Sequence, residues 1–239
     1  MNTVSKPNVV ILTGAGISKE SGLSTFRDPD GIWAEVDIND VATPAAFYNN
    51  PAKVYDFHDT LRQKVISDHV QPNAAHYALA ELEEASPENI LVITQNIDNL
   101  HERAGTNNLI HMHGEILKAR CTDCGWVRSC WTDLDVNDLC TSCELEAAMR
   151  PHVVWFGETP LEMLRAHAAI NKCDIFISIG SSSSVYPAAD FVSVARKRTN
   201  VRTIEINLEP SEKSCEFTEV HHGLASELVP RIVDEILAL

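Results

Sequence analysis

Four of the seven cysteines form two close pairs, and their spacing constrains the fold more than any other feature of this sequence. One C-x-x-C pair is Cys121 and Cys124, the other is Cys140 and Cys143, and fifteen residues separate them. This spacing lets four thiolates close a tetrahedron around a structural Zn²⁺ ion. A redox-active C-x-x-C pair and an iron–sulfur cluster are the alternatives. The remaining cysteines are predicted to be free thiols: Cys130, Cys173 and Cys215.

The length and charge of the chain limit its architecture and its partners. Its 239 residues fit one large domain or one domain with a small insert. Acidic residues outnumber basic ones 34 to 19, which gives a formal net charge of −15. Sequence-independent nucleic-acid binding needs Lys and Arg to displace counterions, so no nucleic-acid partner is expected. A basic peptide would be attracted to such a surface.

Neither a membrane span nor a secretory leader is expected. No segment approaches the ~20 apolar residues that a spanning helix needs. The first apolar run, Val9–Leu12, leads directly into a glycine turn and is typical of a buried strand. A cytoplasmic location is therefore expected, which agrees with the absence of an evenly spread disulfide framework.

Apolar runs alternate with stretches of helical spacing, which predicts a doubly wound, Rossmann-like α/β fold with a parallel sheet. The runs are rich in Ile and Val, as in strands buried on both faces. The predicted strands are Val9–Thr13, Ile90–Thr94, Asp174–Gly180 and Val201–Ile206. The predicted helices are Ala74–Glu84, Tyr186–Lys197 and Leu224–Leu239. Ligands of such folds bind at the carboxyl ends of the strands.

Two segments interrupt the alternation. Residues of about 28–72 look helical and irregular, and residues of about 115–150 are polar and carry the cysteine pairs. Both are predicted to leave the sheet and to form together a smaller zinc-binding and helical lobe. Residues 1–239 would then be a single domain.

The first predicted strand ends in a glycine-rich turn, Gly14–Ser18. Glycines here allow close approach of a pyrophosphate, and the following helix would direct its amides at it. Lys19 stands where a G-x-G-x-x-G motif has its third glycine, and the next glycine is Gly22. The turn alone leaves nucleotide binding and a plain tight turn open.

The turn is followed by further motifs in a fixed order. They are Gly14–Ser18 (GAGIS), Ser21–Leu23 (SGL), Thr25–Arg27 (TFR), Thr94–His101 (TQNIDNLH), His111–Glu115 (HMHGE), Arg150–Glu158 (RPHVVWFGE), Gly180–Ser183 (GSSS) and Ile206–Leu208 (INL). This set closely resembles the sirtuin family, and most of all its bacterial CobB-type members. The resemblance extends from Asn8 to the last predicted helix.

The resemblance implies an NAD-dependent deacylase that acts on acyl-lysine proteins or peptides. NAD would be a consumed co-substrate: the acyl oxygen attacks the ribose carbon, nicotinamide leaves, and the acyl group ends on ADP-ribose. His113 matches the family's general base, for which imidazole is suited because its pKa lies near neutral pH. Asn96 matches the second catalytic position, near the ribose and an ordered water. His111 is expected to be structural.

The resemblance also implies the binding residues. Asp98 would contact the nicotinamide amide, Phe26 would shield the ribose and Arg27 would hold the phosphate side. The full cofactor set is Gly14, Ala15, Gly16, Ile17, Ser18, Gly22, Phe26, Arg27, Trp33, Gln95, Asn96, Ile97, Asp98, Gly180, Ser181, Ser182, Asn207, Leu208, Glu209 and Ala225. The peptide groove, pairing by strand addition, would be formed by Val154, Phe156, Gly157, Glu158, Val185 and Tyr186. Trp155 is expected to belong to the core.

The chain departs from relatives that remove malonyl and succinyl groups through a Tyr-x-x-Arg motif. Counted back from Gln71–His76 without gaps, the equivalent positions are His58 and Leu61. Loss of a bidentate guanidinium should weaken carboxylate binding, so we expect weak desuccinylation and a preference for neutral acyl groups. His58 could still bond to a polar acyl group. In the alternative, a shifted helix lets Arg62 replace the missing arginine.

Two other functions remain open at this point. An ADP-ribosyltransferase or NAD hydrolase on the same scaffold would form no acyl-ADP-ribose. A non-catalytic NAD-sensing or zinc-stabilised binding module would not consume NAD, although an intact His113, Asn96 and Asp98 argue against it. A monomer is favoured.

Overall fold

The computed structural model of the protein describes residues 6–25, 36–143 and 145–239. The strands are β1 (Val9–Thr13), β2 (Ile90–Thr94), β3 (Leu109–His111), β4 (Gly114–Cys121), β5 (Val127–Ser129), β6 (Met149–Val153), β7 (Ile175–Ile179), β8 (Arg202–Asn207) and β9 (Glu219–His222). The helices are α1 (Ala15–Lys19), α2 (Ile38–Val41), α3 (Pro44–Asn49), α4 (Pro51–Val65), α5 (Ala74–Ala85), α6 (Leu100–Ala104), α7 (Met163–Ile170), α8 (Phe191–Ala195) and α9 (Ala225–Leu237). Over these three stretches of chain, no helix is long and apolar enough to cross a membrane.

Six parallel strands form the large sheet in the order β3-β2-β1-β7-β8-β9. The four strands predicted from the sequence are its centre, and β1 and β2 have the predicted bounds. The register aligns Thr13 with Thr94 on one side and with Ile179 on the other. The carboxyl ends of the central strands therefore meet at one edge of the sheet, as the doubly wound prediction requires.

Both faces of the sheet are covered by helices. In β1, Val9 and Ile11 pack with residues of α5 and α9, whereas Val10 and Leu12 pack with residues of α7 and α8. This alternation explains why the central strands read as continuous apolar runs, since every side chain of a doubly covered strand is buried.

The edges of the sheet differ from the sequence prediction. β3 and β9 were not predicted because β3 has three residues and β9 reads Glu-Val-His-His, with half of its positions exposed. The helix predicted at Tyr186–Lys197 is also shorter, because a 3₁₀ turn at Ala188–Asp190 precedes α8.

The small lobe is formed by described residues of the two segments that interrupt the alternation. A three-stranded antiparallel sheet, β5-β4-β6, packs against α2, α3 and α4. Tyr55 of α4 is buried beside Cys121 and Cys140 and donates its hydroxyl to the carbonyl of Met149 at 2.6 Å. The helical segment and the cysteine module thus share one apolar core.

Candidate active site

A cleft of about 1060 Å³ lies where the strands of the large sheet end, and residues of the small lobe form its other side. Most residues predicted to bind cofactor or substrate line it: Gly14, Ala15, Gly16, Gln95, Asn96, Ile97, His113, Gly180, Ser181, Ser182, Asn207, Leu208, Glu209, Ala225, His58, Leu61, Val154, Phe156, Gly157, Glu158, Val185 and Tyr186. The parallel sheet thus brings together residues as far apart in the sequence as Gly14 and Ala225.

Four predicted binding residues do not line this cleft in the described structure. Ser18 and Asp98 line a smaller neighbouring pocket of about 50 Å³. Ile17 is fully buried in the core, and Gly22 lies at a turn next to Val70, with a φ of +91°. The other three predicted residues fall outside the described residues: Phe26, Arg27 and Trp33.

The glycine turn packs against a second backbone segment. A Cβ on Gly16 would lie 2.6 Å from the Cα of Gly180, and one on Gly14 would lie 2.7 Å from the Gly180 carbonyl oxygen. The amide of Gly16 donates to that carbonyl at 2.9 Å, and the amide of Ile17 donates to Gly14. These glycines are therefore required for the close contact between two loops at the cleft, and the two amides are used within the protein.

Asn96 links the strand end of β2 to the glycine turn. Its side-chain amide donates to the Gly14 carbonyl at 3.2 Å and to the Ser18 hydroxyl at 3.0 Å. The Ser18 hydroxyl in turn donates to Asp98 at 3.0 Å, and the Leu100 amide donates to the same carboxylate at 3.0 Å. Burial raises the pKa of Asp98, while these two hydrogen bonds oppose the shift.

His113 has a defined tautomer. Its Nδ1 lies 3.0 Å from the Gln95 carbonyl oxygen, and because a carbonyl can only accept, Nδ1 carries the proton. The lone pair is then on Nε2. Burial lowers the pKa of His113 below its usual value of 6.5, so the ring is neutral at neutral pH. A neutral imidazole with a free lone pair is what a general base requires.

The neighbouring His111 has a different setting. Its Nε2 lies 2.9 Å from the Glu102 carboxylate, and despite burial this partner raises the His111 pKa. The predicted structural role agrees with this pairing.

Hydrogen bonds connect the other side of the cleft to the same strand ends. Gln95 donates to the Ser181 hydroxyl at 2.8 Å, and Asn207 donates to the Ser181 carbonyl at 3.0 Å. The loop after β8 is held by Glu205, a fully buried carboxylate that accepts hydrogen bonds from the hydroxyls of Ser211 and Ser214. Sequence reasoning missed Glu205, although a glutamate inside an apolar strand is a signal for such a role.

The small-lobe end of the cleft is formed by residues that also pack in the lobe's apolar core. These are Ile38, Phe57, His58, Leu61, Ile97 and Trp155. His58 is buried, its Nδ1 donates to the Val54 carbonyl at 2.8 Å, and its Nε2 accepts from the Trp155 indole at 3.1 Å. Burial lowers the His58 pKa to about 4. Both ring nitrogens are engaged, so the expectation that His58 bonds to a polar acyl group is wrong for this structure.

Arg62 points away from the cleft. It is fully buried, pairs with Asp59 and donates from Nε to the Ile116 carbonyl at 3.1 Å. It does not line the cleft in the described structure. The alternative in which Arg62 replaces the missing arginine is therefore not supported by this helix position.

Trp155 is buried, as expected, and several charged side chains contact it or its backbone. The Arg150 guanidinium lies 3.2 Å from the centre of its ring. Glu158 accepts from Arg150, from Arg120 and from the Trp155 amide at 2.8 Å. The Glu158 side chain, predicted in the peptide groove, thus serves to hold the turn that carries Trp155.

The predicted peptide groove is apolar and open. Phe156, Val185 and Tyr186 are between 40% and 62% exposed at the cleft. The amides of Val154 and Phe156 already donate within the protein, to the carbonyls of His113 and Ala42. Strand addition at this segment would therefore use its carbonyls and the amide of Gly157.

The four paired cysteines form one cluster, with all four sulfur atoms within 4.8 Å of one another. Sγ of Cys121 lies 3.8 Å from that of Cys143, and Cys124 lies 3.8 Å from Cys140. A tetrahedron with Zn–S bonds of ~2.3 Å has edges of about 3.8 Å, so the cluster fits one structural zinc ion. Cys130 lies outside the cluster, with its thiol on the Thr132 carbonyl.

Comparison with known proteins gives one consistent answer. The model of the Sir2 family matches residues 14–187. An NAD-dependent protein deacylase of Vibrio cholerae serotype O1 is 54% identical over 231 residues, covering 97% of this chain and 94% of that protein. A solved Sir2 homologue in complex with NAD is 36% identical, with a TM-score of 0.85 and coverage of 95% of this chain and 88% of that chain. A Sir2 variant with a deacetylated p53 peptide and 3′-O-acetyl-ADP-ribose is 31% identical, with a TM-score of 0.82 and coverage of 95% and 92%. The chain therefore belongs to the Sir2 family, the sirtuins that its sequence motifs resemble.

Proposed function

We propose that this protein is an NAD-dependent protein-lysine deacylase with His113 as its general base. The observation that carries the proposal is the setting of His113, whose ring is partly buried in the cleft, neutral and oriented by the Gln95 carbonyl. NAD-dependent deacylation agrees with the names of the similar proteins and with the NAD complex of a similar structure.

The cleft is built to hold a dinucleotide and an acyl-lysine at once. NAD, when bound, supplies the ribose carbon from which nicotinamide departs and the hydroxyls that take up the acyl group. Ser181, Asn207 and the two glycine loops hold its phosphate and adenosine side, whereas Asn96 and Asp98 face the nicotinamide side. His113 Nε2 receives the proton of a ribose hydroxyl, and its Nδ1–H stays on the Gln95 carbonyl throughout.

The zinc ion that the four cysteines fit has a structural role in this proposal. Four thiolates leave no open coordination position for substrate or water. Because the cysteine module and α4 share a core around Tyr55, the ion stabilises the helix that carries His58 and Leu61.

The acyl group is proposed to lie at the small-lobe end of the cleft and to be neutral. Leu61 stands where an arginine would be needed, His58 is neutral and engaged, and Arg62 is turned toward Asp59 and Ile116. Burying a carboxylate there without a cation costs several kcal/mol, so acetyl and larger apolar acyl groups are preferred over succinyl and malonyl.

The test is a set of peptides of one sequence whose lysine carries acetyl, butyryl, succinyl or malonyl. Mass spectrometry follows loss of the acyl group with and without NAD, for wild type and His113→Ala. We expect NAD-dependent loss of acetyl and butyryl that exceeds loss of succinyl and malonyl and is absent in the variant. Release of nicotinamide with every peptide still acylated would instead indicate an NAD hydrolase or ADP-ribosyltransferase.

A further inference from the structure

His58 contributes no hydrogen-bonding group to the small-lobe end of the cleft, and the reason lies in Trp155. A neutral imidazole has one donor and one acceptor. The Nδ1–H group donates to the Val54 carbonyl of the same helix, and Nε2 accepts from the Trp155 indole N–H at 3.1 Å. Only carbon atoms of the ring are left to contact an acyl group.

Contacts with neighbouring side chains fix the Trp155 indole in place. Arg150 stacks on one face at 3.2 Å, and Phe47 packs at 5.3 Å between ring centres. Glu158 anchors the Trp155 backbone amide and pairs with Arg150. The indole N–H is thus held in one direction, toward His58 Nε2.

The charges around His58 disfavour protonation of its ring. Arg62 on the same helix and Arg150 on β6 both oppose protonation of His58, and burial opposes it further. No carboxylate is among the groups that shift it. If Nε2 were released, it could accept a proton and form an ion pair with an acidic acyl group, since an imidazolium and a carboxylate in a buried site attract strongly.

We propose that Trp155 is a specificity-determining residue: by donating to His58 Nε2, it makes the one titratable side chain among the described residues of this end unavailable to the acyl group, and so excludes carboxylated acyl groups. The proposal rests on the proposed deacylase function. It adds that acyl selection depends on a residue pair at the small-lobe end of the cleft, in addition to the missing arginine at Leu61.

The experiment is a double-mutant cycle on selectivity. The ratio of kcat/KM for succinyl-lysine to that for acetyl-lysine is measured in one peptide, from pH 6 to pH 8. The proteins are wild type, Trp155→Phe, His58→Phe, the double variant, and Trp131→Phe. Trp131 is an exposed tryptophan of the zinc module and provides the matched control substitution. Because titration of His113 affects both substrates, it cancels in the ratio.

We expect Trp155→Phe to raise the ratio about tenfold at pH 6, the low end of what one charge-assisted hydrogen bond contributes. The gain should shrink toward pH 8, as the imidazole loses the proton that pairing with the succinyl carboxylate favours. In the His58→Phe background, Trp155→Phe should leave the ratio unchanged at every pH. An equal change in both backgrounds would mean that the tryptophan acts by packing alone, and an unchanged ratio in Trp155→Phe would also overturn the proposal.

A measurement on the wild-type protein does not depend on how the variants fold. Nitrogen-15 NMR of histidine-labelled protein should show His58 as the neutral Nδ1–H tautomer with a hydrogen-bonded Nε2 throughout pH 6 to pH 8. Titration of His58 near 6.5 would overturn the proposal even if the protein is an active deacylase. Complete absence of NAD-dependent deacylation by wild type, with His58 behaving as expected, would instead refute the proposed function.

Discussion

His76 gives a test of how burial controls the stability of the large lobe. It lies on α5 with no exposed surface, and its Nδ1 accepts the backbone N–H of Asn73 at 3.3 Å. Its ring lies 5.0 Å from that of His101, which is also buried. Burial lowers the His76 pKa from 6.5 to about 4. The unfolded chain therefore binds a proton at His76 at a higher pH than the folded protein does.

The size of the effect follows from the two pKa values. Since the folded pKa is the lower one, stability is fully present above pH 6.5 and is lost as the pH falls toward about 4. Between pH 7.5 and pH 5, protonation of the unfolded chain alone costs the folded state about 2 kcal/mol from this residue. Other groups titrate in the same range, so the His76 share must be isolated by difference.

His76→Gln provides that difference, because a glutamine can still accept from the Asn73 amide as in a capping box. Urea unfolding at pH 7.5 and pH 5 should show wild type losing about 2 kcal/mol more than the variant. His69→Gln, at an exposed position, is the matched control and should behave as wild type. Zinc content is checked at both pH values. Equal losses in wild type and His76→Gln would refute the reasoning.

Three further outcomes are expected. Leu61→Arg should raise kcat/KM for succinyl-lysine about tenfold or more relative to Leu61→Met, because it returns a guanidinium to the small-lobe end of the cleft. Cys140→Ser should lose zinc and have a lower Tm, whereas Cys130→Ser should keep zinc. Metal analysis and calorimetry measure both effects, and retention of zinc by Cys140→Ser would contradict the site. The acidic limb of the kcat/KM profile for deacetylation should lie below pH 6.5, because the base must be neutral and burial lowers the His113 pKa; a limb above that value would contradict its assignment.

The centre of the fold could be predicted because its strands are buried on both faces. Ile90–Thr94 is fully buried in the sheet, and its composition alone identifies it. The edge strands carried no such signal: Glu219–His222 alternates half-buried and exposed positions and pairs with one neighbour. Register, which places Gly14 against Gly180, is a tertiary property that local patterns do not encode.

The site could be predicted where a residue type and its spacing determine the chemistry. The four cysteines are such a case. The assignment of His113 as the general base rests on the family resemblance. The engagement of His58 could not be foreseen, because its partner Trp155 is 97 positions away and reads as an ordinary core residue. The same holds for Arg62, whose direction depends on the position of Asp59 and Ile116.

The most direct test of the central claim is the stoichiometry of the products. Acetyl-lysine peptide and NAD are incubated with the protein, and deacetylated peptide, nicotinamide and acetyl-ADP-ribose are measured together over time. The account predicts that the three products form in equal amounts and that His113→Ala forms no deacetylated peptide. Deacetylated peptide formed with free acetate in place of acetyl-ADP-ribose from the earliest times, or formed without NAD, would contradict it.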